Sequence, residues 1–150
     1  MSYIIQFIYA FLSTLGYSVF FKVPRDSVIK SSLSGAIGWL IYIFSVDLLP
    51  SSIARTFLAA ITVGFLGEFM AKRFKKPATI FTIPGIIPLV PGAGMYYTML
   101  AIIDRDFNSA ADIGTEALFI ALAIAIGIIV SSSFSRALIN LKPKKHNITI

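Results

Sequence analysis

Three prolines recur at helical spacing, Pro84, Pro88 and Pro91, with Gly85, Gly92 and Gly94 among them, in a run that carries no charge from 77 to 103. Proline has no N–H, and its ring clashes with the carbonyl four residues back. The carbonyls of Ile80, Pro84 and Ile87 therefore lose their usual helical partners. Each proline also pushes the preceding residue away from the helical region. One such residue kinks a helix; three so close together unwind part of it. Unwound backbone at membrane depth is tolerated only inside protein or beside a water-filled cavity, and broken helices near the midplane are a recurring device of transporters. The pattern predicts a second half-helix that starts near Pro91–Gly92 and runs to about Ile103. Its first N–H groups, around Gly92 to Met95, would be free to take a carboxylate or other anion. The freed carbonyls suit a cation or an ammonium group. Thr82, Tyr96, Tyr97 and Thr98 are the nearby polar side chains. The candidate substrate-binding set is Thr82, Pro84, Gly85, Pro88, Pro91, Gly92, Gly94 and Tyr96. The bland alternative is a proline-kinked structural helix, with Tyr96 and Tyr97 as packing or interface aromatics.

Glu68 is the ionisable group to weigh beside that stretch. It lies within an apolar segment, where carboxylates are costly and often mark ion or proton paths. Lys72 follows at i+4, a favourable spacing for a structural pair. Both readings stand: a Glu68–Lys72 pair, or a proton-coupling role for Glu68. Asp47 reads as an exposed boundary residue at the outer end of a helix, or as the lining of an entrance. No enzyme pattern is present. The 92–94 Gly-x-Gly lacks the Lys-Ser/Thr and the flanking strand of a phosphate loop. There are no cysteines, and the one histidine, His146, sits in a polar tail. No metal site and no cofactor are expected.

The elements that must carry these residues are membrane helices. Of the 150 residues, 57% are hydrophobic and 13% charged, against about 25% charged in an ordinary soluble domain. Apolar segments fall at roughly 2–21, 30–49, 53–71, 77–103 and 113–137. A helix needs about 20 residues to span a bilayer, so five spans fill the chain as a single transmembrane domain, 1–150, closed by a basic tail at 138–150. The 27-residue uncharged run at 77–103 has residues to spare for an unwound stretch. The expected fold is all-α, with about five transmembrane helices and the fourth discontinuous. Small residues at helical spacing (Gly35 and Gly38; Ala60, Gly64 and Gly67; Ala123, Gly127 and Ser131) predict close helix packing.

Charge gives the orientation. The net charge of +6 is not spread as in a nucleic-acid binder. All but two of the 13 basic residues fall in three clusters: Lys22, Arg25 and Lys30; Lys72, Arg73, Lys75 and Lys76; Arg136, Lys142, Lys144 and Lys145. With five spans these clusters share one face, and the positive-inside rule makes it cytoplasmic. The N-terminus is then outside and the C-terminus in the cytoplasm. Residues 1–21 lack a basic n-region and a cleavage signal, so they read as a retained helix in a multi-pass protein of the cell membrane.

The stretch IPGIIPLVPGAGMYYTM (83–99), followed by an acidic loop and a last helix rich in small residues, resembles the threonine/serine exporter family. The match is to its smaller, C-terminal half, which is a separate subunit in the split branch. The resemblance implies export of small carboxylate-bearing solutes: threonine and serine for fused members, succinate for the split branch, with the proton motive force as the drive in fused members. It carries over Pro84, Gly85, Pro88, Pro91, Gly92 and Gly94 as motif residues, but no proton-coupling residue. It also implies a larger membrane subunit as partner. Two halves of five spans each would insert oppositely and form an inverted repeat with a midplane site between them. The rivals are a non-transporting scaffold or regulatory subunit, and a homo-oligomeric channel.

Overall fold

The computed structural model describes residues 3–140. Ser2, and the tail residues Lys142, Lys144, Lys145 and His146, lie outside the described residues. Six α-helices follow in order: α1 (Tyr3–Phe20), α2 (Arg25–Phe44), α3 (Ser52–Phe74), α4 (Thr79–Gly85), α5 (Gly92–Ile103) and α6 (Phe107–Asn140). A 3₁₀ turn, Ile87–Leu89, stands between α4 and α5. There is no strand among the described residues. Four helices, α1, α2, α3 and α6, are long and apolar enough to cross a membrane; α4 and α5 together make a fifth, bent by 52°.

Two helices begin earlier than hydropathy suggests. Helix α2 opens at Arg25, because Pro24 can start a helix and its carbonyl accepts from the Ser27 N–H at 2.7 Å. Helix α6 opens at Phe107, because the Asp106 carboxylate accepts from the Ser109 N–H at 3.1 Å and the Ser109 hydroxyl at 2.6 Å. These bonds, that from the hydroxyl foremost, hold the Asp106 carboxyl below its ordinary range. Both first turns are polar, so a hydropathy count passes over them. Helix α2 also ends sooner, at Phe44, which leaves Asp47 exposed in the turn that follows.

The helices pack through small residues and hydroxyls. Antiparallel α1 and α2 meet where the Ser18 and Ser31 hydroxyls stand 2.9 Å apart, and where the Trp39 Nε1–H donates to Gln6 Oε1 at 3.1 Å. The two small-residue ridges predicted on α3 and α6 face each other: a Cβ on Gly127 would lie 2.9 Å from the Ala60 Cβ, and one on Gly64 would overlap Ser131. Without a hydrophobic drive between helices in lipid, such close backbone approach supplies the dispersion that holds them. Ala59, Ala60, Val63, Leu89 and Ile124 form the buried cluster at the middle of the bundle.

The direction of the α3–α6 seam decides how the fourth segment runs. Ser52 pairs with Glu116, Ala60 with Gly127, Gly64 with Ser131 and Lys72 with Ser135. Both numbers rise together, so α3 and α6 are parallel. The chain between them must therefore return to the starting side, which makes α4–α5 a full crossing rather than a re-entrant loop. The first two basic clusters meet at one end of this bundle, where α6 also ends its described length. Lys76 pairs with Asp26 and donates to Ser27 at 3.0 Å, Lys30 sits 3.8 Å over the Phe74 ring, and Lys72 bonds Ser135 of α6.

Candidate functional site

The break is built by its prolines. Phe81, Pro84 and Gly85 are buried where α4 wedges among α1, α2 and α3. After α4 the chain tightens: the Leu89 N–H donates to the Ile86 carbonyl at 2.9 Å and the Val90 N–H to Ile87 at 3.2 Å. Val90, which precedes a proline, is extended at φ −62°, ψ 131°. Pro91 then stands at φ −76°, ψ 55°, and the Gly92 N–H donates to the Val90 carbonyl at 2.8 Å. That is an inverse γ-turn, and α5 starts on its far side at Gly92, as the proline spacing predicts.

This geometry corrects two details of the expected backbone. The Ile87 carbonyl is not free, because the 3₁₀ turn gives it the Val90 N–H. Nor are all four N–H groups from Gly92 to Met95 free: Gly92 bonds within the γ-turn and Met95 donates to the Pro91 carbonyl at 3.0 Å. Ala93 and Gly94 are left as the two donors without an acceptor among the described residues. They sit in the first turn of α5, where the helix dipole favours an anion.

These donors border a cleft of about 360 Å³, lined by Pro88 to Gly94, by Trp39 and Tyr42 of α2, by Thr56 of α3 and by Glu116, Ala117 and Ile120 of α6. That volume lies near the low end for small-molecule sites, roughly 300–1,000 Å³. Gly92 is open to it, since a Cβ there would meet nothing within 4 Å. Gly94 backs onto α6, with a built Cβ only 3.3 Å from that of Ala117. Ser52 Oγ donates to Glu116 Oε1 at 2.6 Å at the cleft wall. The Trp39 and Tyr42 rings stack at 5.2 Å, and the Arg55 guanidinium lies 5.4 Å over Tyr42.

The predicted site residues divide. Pro88, Pro91, Gly92 and Gly94 line the cleft. Thr82 packs against Gly67 of α3, and Gly85 against Val63 and Ser34, so with Pro84 they dock α4 in the bundle and do not face the cleft. Tyr96 is 64% exposed and meets Tyr97 edge-on at 5.4 Å, away from the cleft. Thr98 donates its hydroxyl to the Gly94 carbonyl at 2.7 Å. Glu68 is half-buried three turns beyond Thr56, about 18 Å along α3. The expected Glu68–Lys72 pair does not form. Lys72 Nζ instead donates to Ser135 Oγ at 2.6 Å, because the parallel α6 presents that buried hydroxyl beside it.

Sequence reasoning missed Trp39, Tyr42, Thr56 and Glu116. Glu116 directly precedes the uncharged run that begins at Ala117, so it reads as a boundary residue. The available signal was the i, i+4 spacing of Asp112 and Glu116, which puts both carboxylates on one face of the helix before the apolar run. The described residues hold no group of three or more His, Cys, Asp or Glu that could bind a metal.

A sequence-family profile described as threonine/serine exporter matches residues 6–134, most of the chain. The chain belongs to the threonine/serine exporter family. It is similar to a threonine/serine exporter of Corynebacterium glutamicum, 36% identical over 115 residues that cover 75% of this chain and 23% of that protein. It is also similar to a probable threonine/serine exporter of Mycobacterium tuberculosis, 29% identical over 119 residues, 79% of this chain and 22% of the relative. An uncharacterized protein of Haemophilus influenzae is 25% identical over 96 residues, 64% of this chain and 32% of its own length. The chain thus spans less than a third of the curated relatives it matches. No solved structure matches it. As a member of the threonine/serine exporter family the chain is a multi-pass membrane protein of a transporter family, not an enzyme.

Proposed function

We propose that this chain is one half of a membrane exporter for small carboxylate-bearing solutes, and that the cleft at the α4–α5 break holds the solute carboxylate. The observation that carries this reading is the pair of unclaimed N–H groups, Ala93 and Gly94, at the start of a half-helix that borders the cleft. A bound carboxylate would gain two charge-assisted hydrogen bonds there and the positive end of α5. Family membership and the names of the relatives favour threonine or serine, with a succinate-like dicarboxylate as the other candidate. The proton motive force would drive export, with Glu68 a candidate for proton coupling on the cytoplasmic half of α3.

The other half of the path would come from a larger membrane subunit. Helix α5 packs chiefly on α6 and has no buried residue. An apolar groove of about 510 Å³ between α5 and α6, along Met95, Met99, Leu118 and Ala121, lies open to a neighbouring helix. The positive-inside rule, applied to the basic residues Lys30, Lys72 and Lys76 that share one end of the bundle, supports a cytoplasmic position for that end, with the N-terminus outside and the chain in the cell membrane.

The test is efflux from cells that lack the chain, its partner subunit, or both. Loss of either should raise intracellular threonine, serine or succinate after loading with the corresponding dipeptide or dicarboxylate. Unchanged efflux of all three would count against the proposal.

A further inference from the structure

We infer that Glu116 reads the ammonium group of the solute, so that the cleft selects zwitterionic amino acids over dicarboxylates. The inference rests on the exporter reading above and assigns its specificity to one residue.

Glu116 lines the cleft at the break and also a second, outer groove of about 520 Å³ bounded by Pro50 to Ile53 and by Ala111 to Phe119. It therefore stands at the divide between the two spaces. Ser52 anchors its Oε1 at 2.6 Å, which leaves Oε2 without a partner among the described residues. The nearest basic residue on α3 does not neutralise it: Arg55 donates from Nε to the Ser51 carbonyl at 3.3 Å and lies over Tyr42. Among the described residues Glu116 forms no ion pair. Glu116 is exposed at the cleft edge, with Asp112 one turn before it on α6, and a carboxylate fixed by one hydroxyl without a counter-charge attracts a cation.

The surroundings suit an ammonium in particular. The stacked Trp39–Tyr42 pair also lines the cleft, and aromatic faces favour cations, as the Arg55 guanidinium over Tyr42 illustrates. Gly94, whose N–H is one of the two donors, backs onto Ala117, the residue next to Glu116. One small cleft thus holds two donors for a carboxylate and one acceptor for an ammonium, as an α-amino acid requires. A dicarboxylate placed on the same donors would turn its second charge toward Glu116 and be repelled.

Export of labelled L-threonine, succinate and 3-hydroxybutyrate (the threonine skeleton without its ammonium) tests this in cells that contain the complete exporter. The wild-type chain should carry threonine at least about tenfold better than 3-hydroxybutyrate, the worth of a hydrogen bond to a charged group. E116Q keeps the shape and the bond from Ser52, and should erase that preference by losing threonine flux while 3-hydroxybutyrate flux is spared. Should E116Q not accumulate in the membrane, E116D, which withdraws the charge by one methylene, should narrow the preference in the same direction. Equal loss of all three solutes in either variant overturns the inference, as does a wild-type chain that carries succinate but not threonine, an outcome that leaves the exporter reading intact. No flux of any of the three by the wild-type chain sinks the exporter reading and this inference together.

Discussion

Gly35 lets three helices meet at one point, and enlarging it should loosen the docking of the broken segment. A Cβ there would lie 2.4 Å from Thr14 Oγ1, 2.9 Å from Thr14 Cγ2 and 3.2 Å from the Gly85 carbonyl oxygen. Neither neighbour can yield easily. Thr14 is fully buried and its hydroxyl donates to the Ala10 carbonyl at 2.8 Å, while Gly85 is backbone at the end of α4. Overpacking of this kind costs about 1–3 kcal/mol. At 1.4 kcal/mol per tenfold, G35A should lower the folded-to-unfolded ratio by about 5- to 150-fold. The single tryptophan, Trp39, packs on Tyr42 beside the cleft, so its fluorescence reports unfolding in detergent. T14A removes two of the three close contacts and leaves only the Gly85 carbonyl. The double variant T14A/G35A should therefore recover most of the loss. A G35A chain as stable as wild type, or a double variant no better than G35A, would refute the packing described for α1, α2 and α4.

Other consequences follow from the same geometry. G127A should cost a similar 1–3 kcal/mol in the same assay, since its Cβ would press on the Ala60 Cβ and the Phe57 carbonyl of α3. G92A should leave stability within about 0.5 kcal/mol of wild type, because nothing lies within 4 Å of the added methyl. E68Q should also leave stability nearly unchanged, while S135A should cost about 1 kcal/mol by leaving Lys72 only the longer bond to the Ser135 carbonyl at 3.5 Å. The lowered Asp106 carboxyl contributes stability that is fully present above the ordinary carboxylate range and is lost as pH falls through its depressed value. Acid melting of D106A should lack that component.

The broken fourth crossing was legible because proline acts locally: Pro84, Pro88 and Pro91 each remove a donor whatever surrounds them, and Gly92 opens the second half-helix as their spacing requires. The small-residue ridges were legible for the same kind of reason, although only the fold shows that Gly64 and Gly127 lie on facing surfaces. The cleft was not legible, because it joins residues from four separate stretches, Trp39, Thr56, Pro91 and Glu116. The fate of Lys72 was hidden in the same way. An i+4 pair is a fact of one helix, whereas the choice of Ser135 over Glu68 depends on α6 running parallel to α3. Thr82, Pro84 and Gly85 belong to the motif by sequence and to the packing by position, since the turn at Pro91 separates them from the donors they precede.

Deleting one of the two unclaimed donors tests the central claim most directly. Ala93 is the second residue of α5, its N–H makes no bond among the described residues, and it follows a glycine. A proline is tolerated in the first turn of a helix, so A93P removes that donor without breaking a helical bond. With the exporter assembled at wild-type level, A93P should lower threonine export by about tenfold or more, the loss of a hydrogen bond to a charged carboxylate. Wild-type export by a fully assembled A93P exporter would contradict the placement of the solute carboxylate at the break.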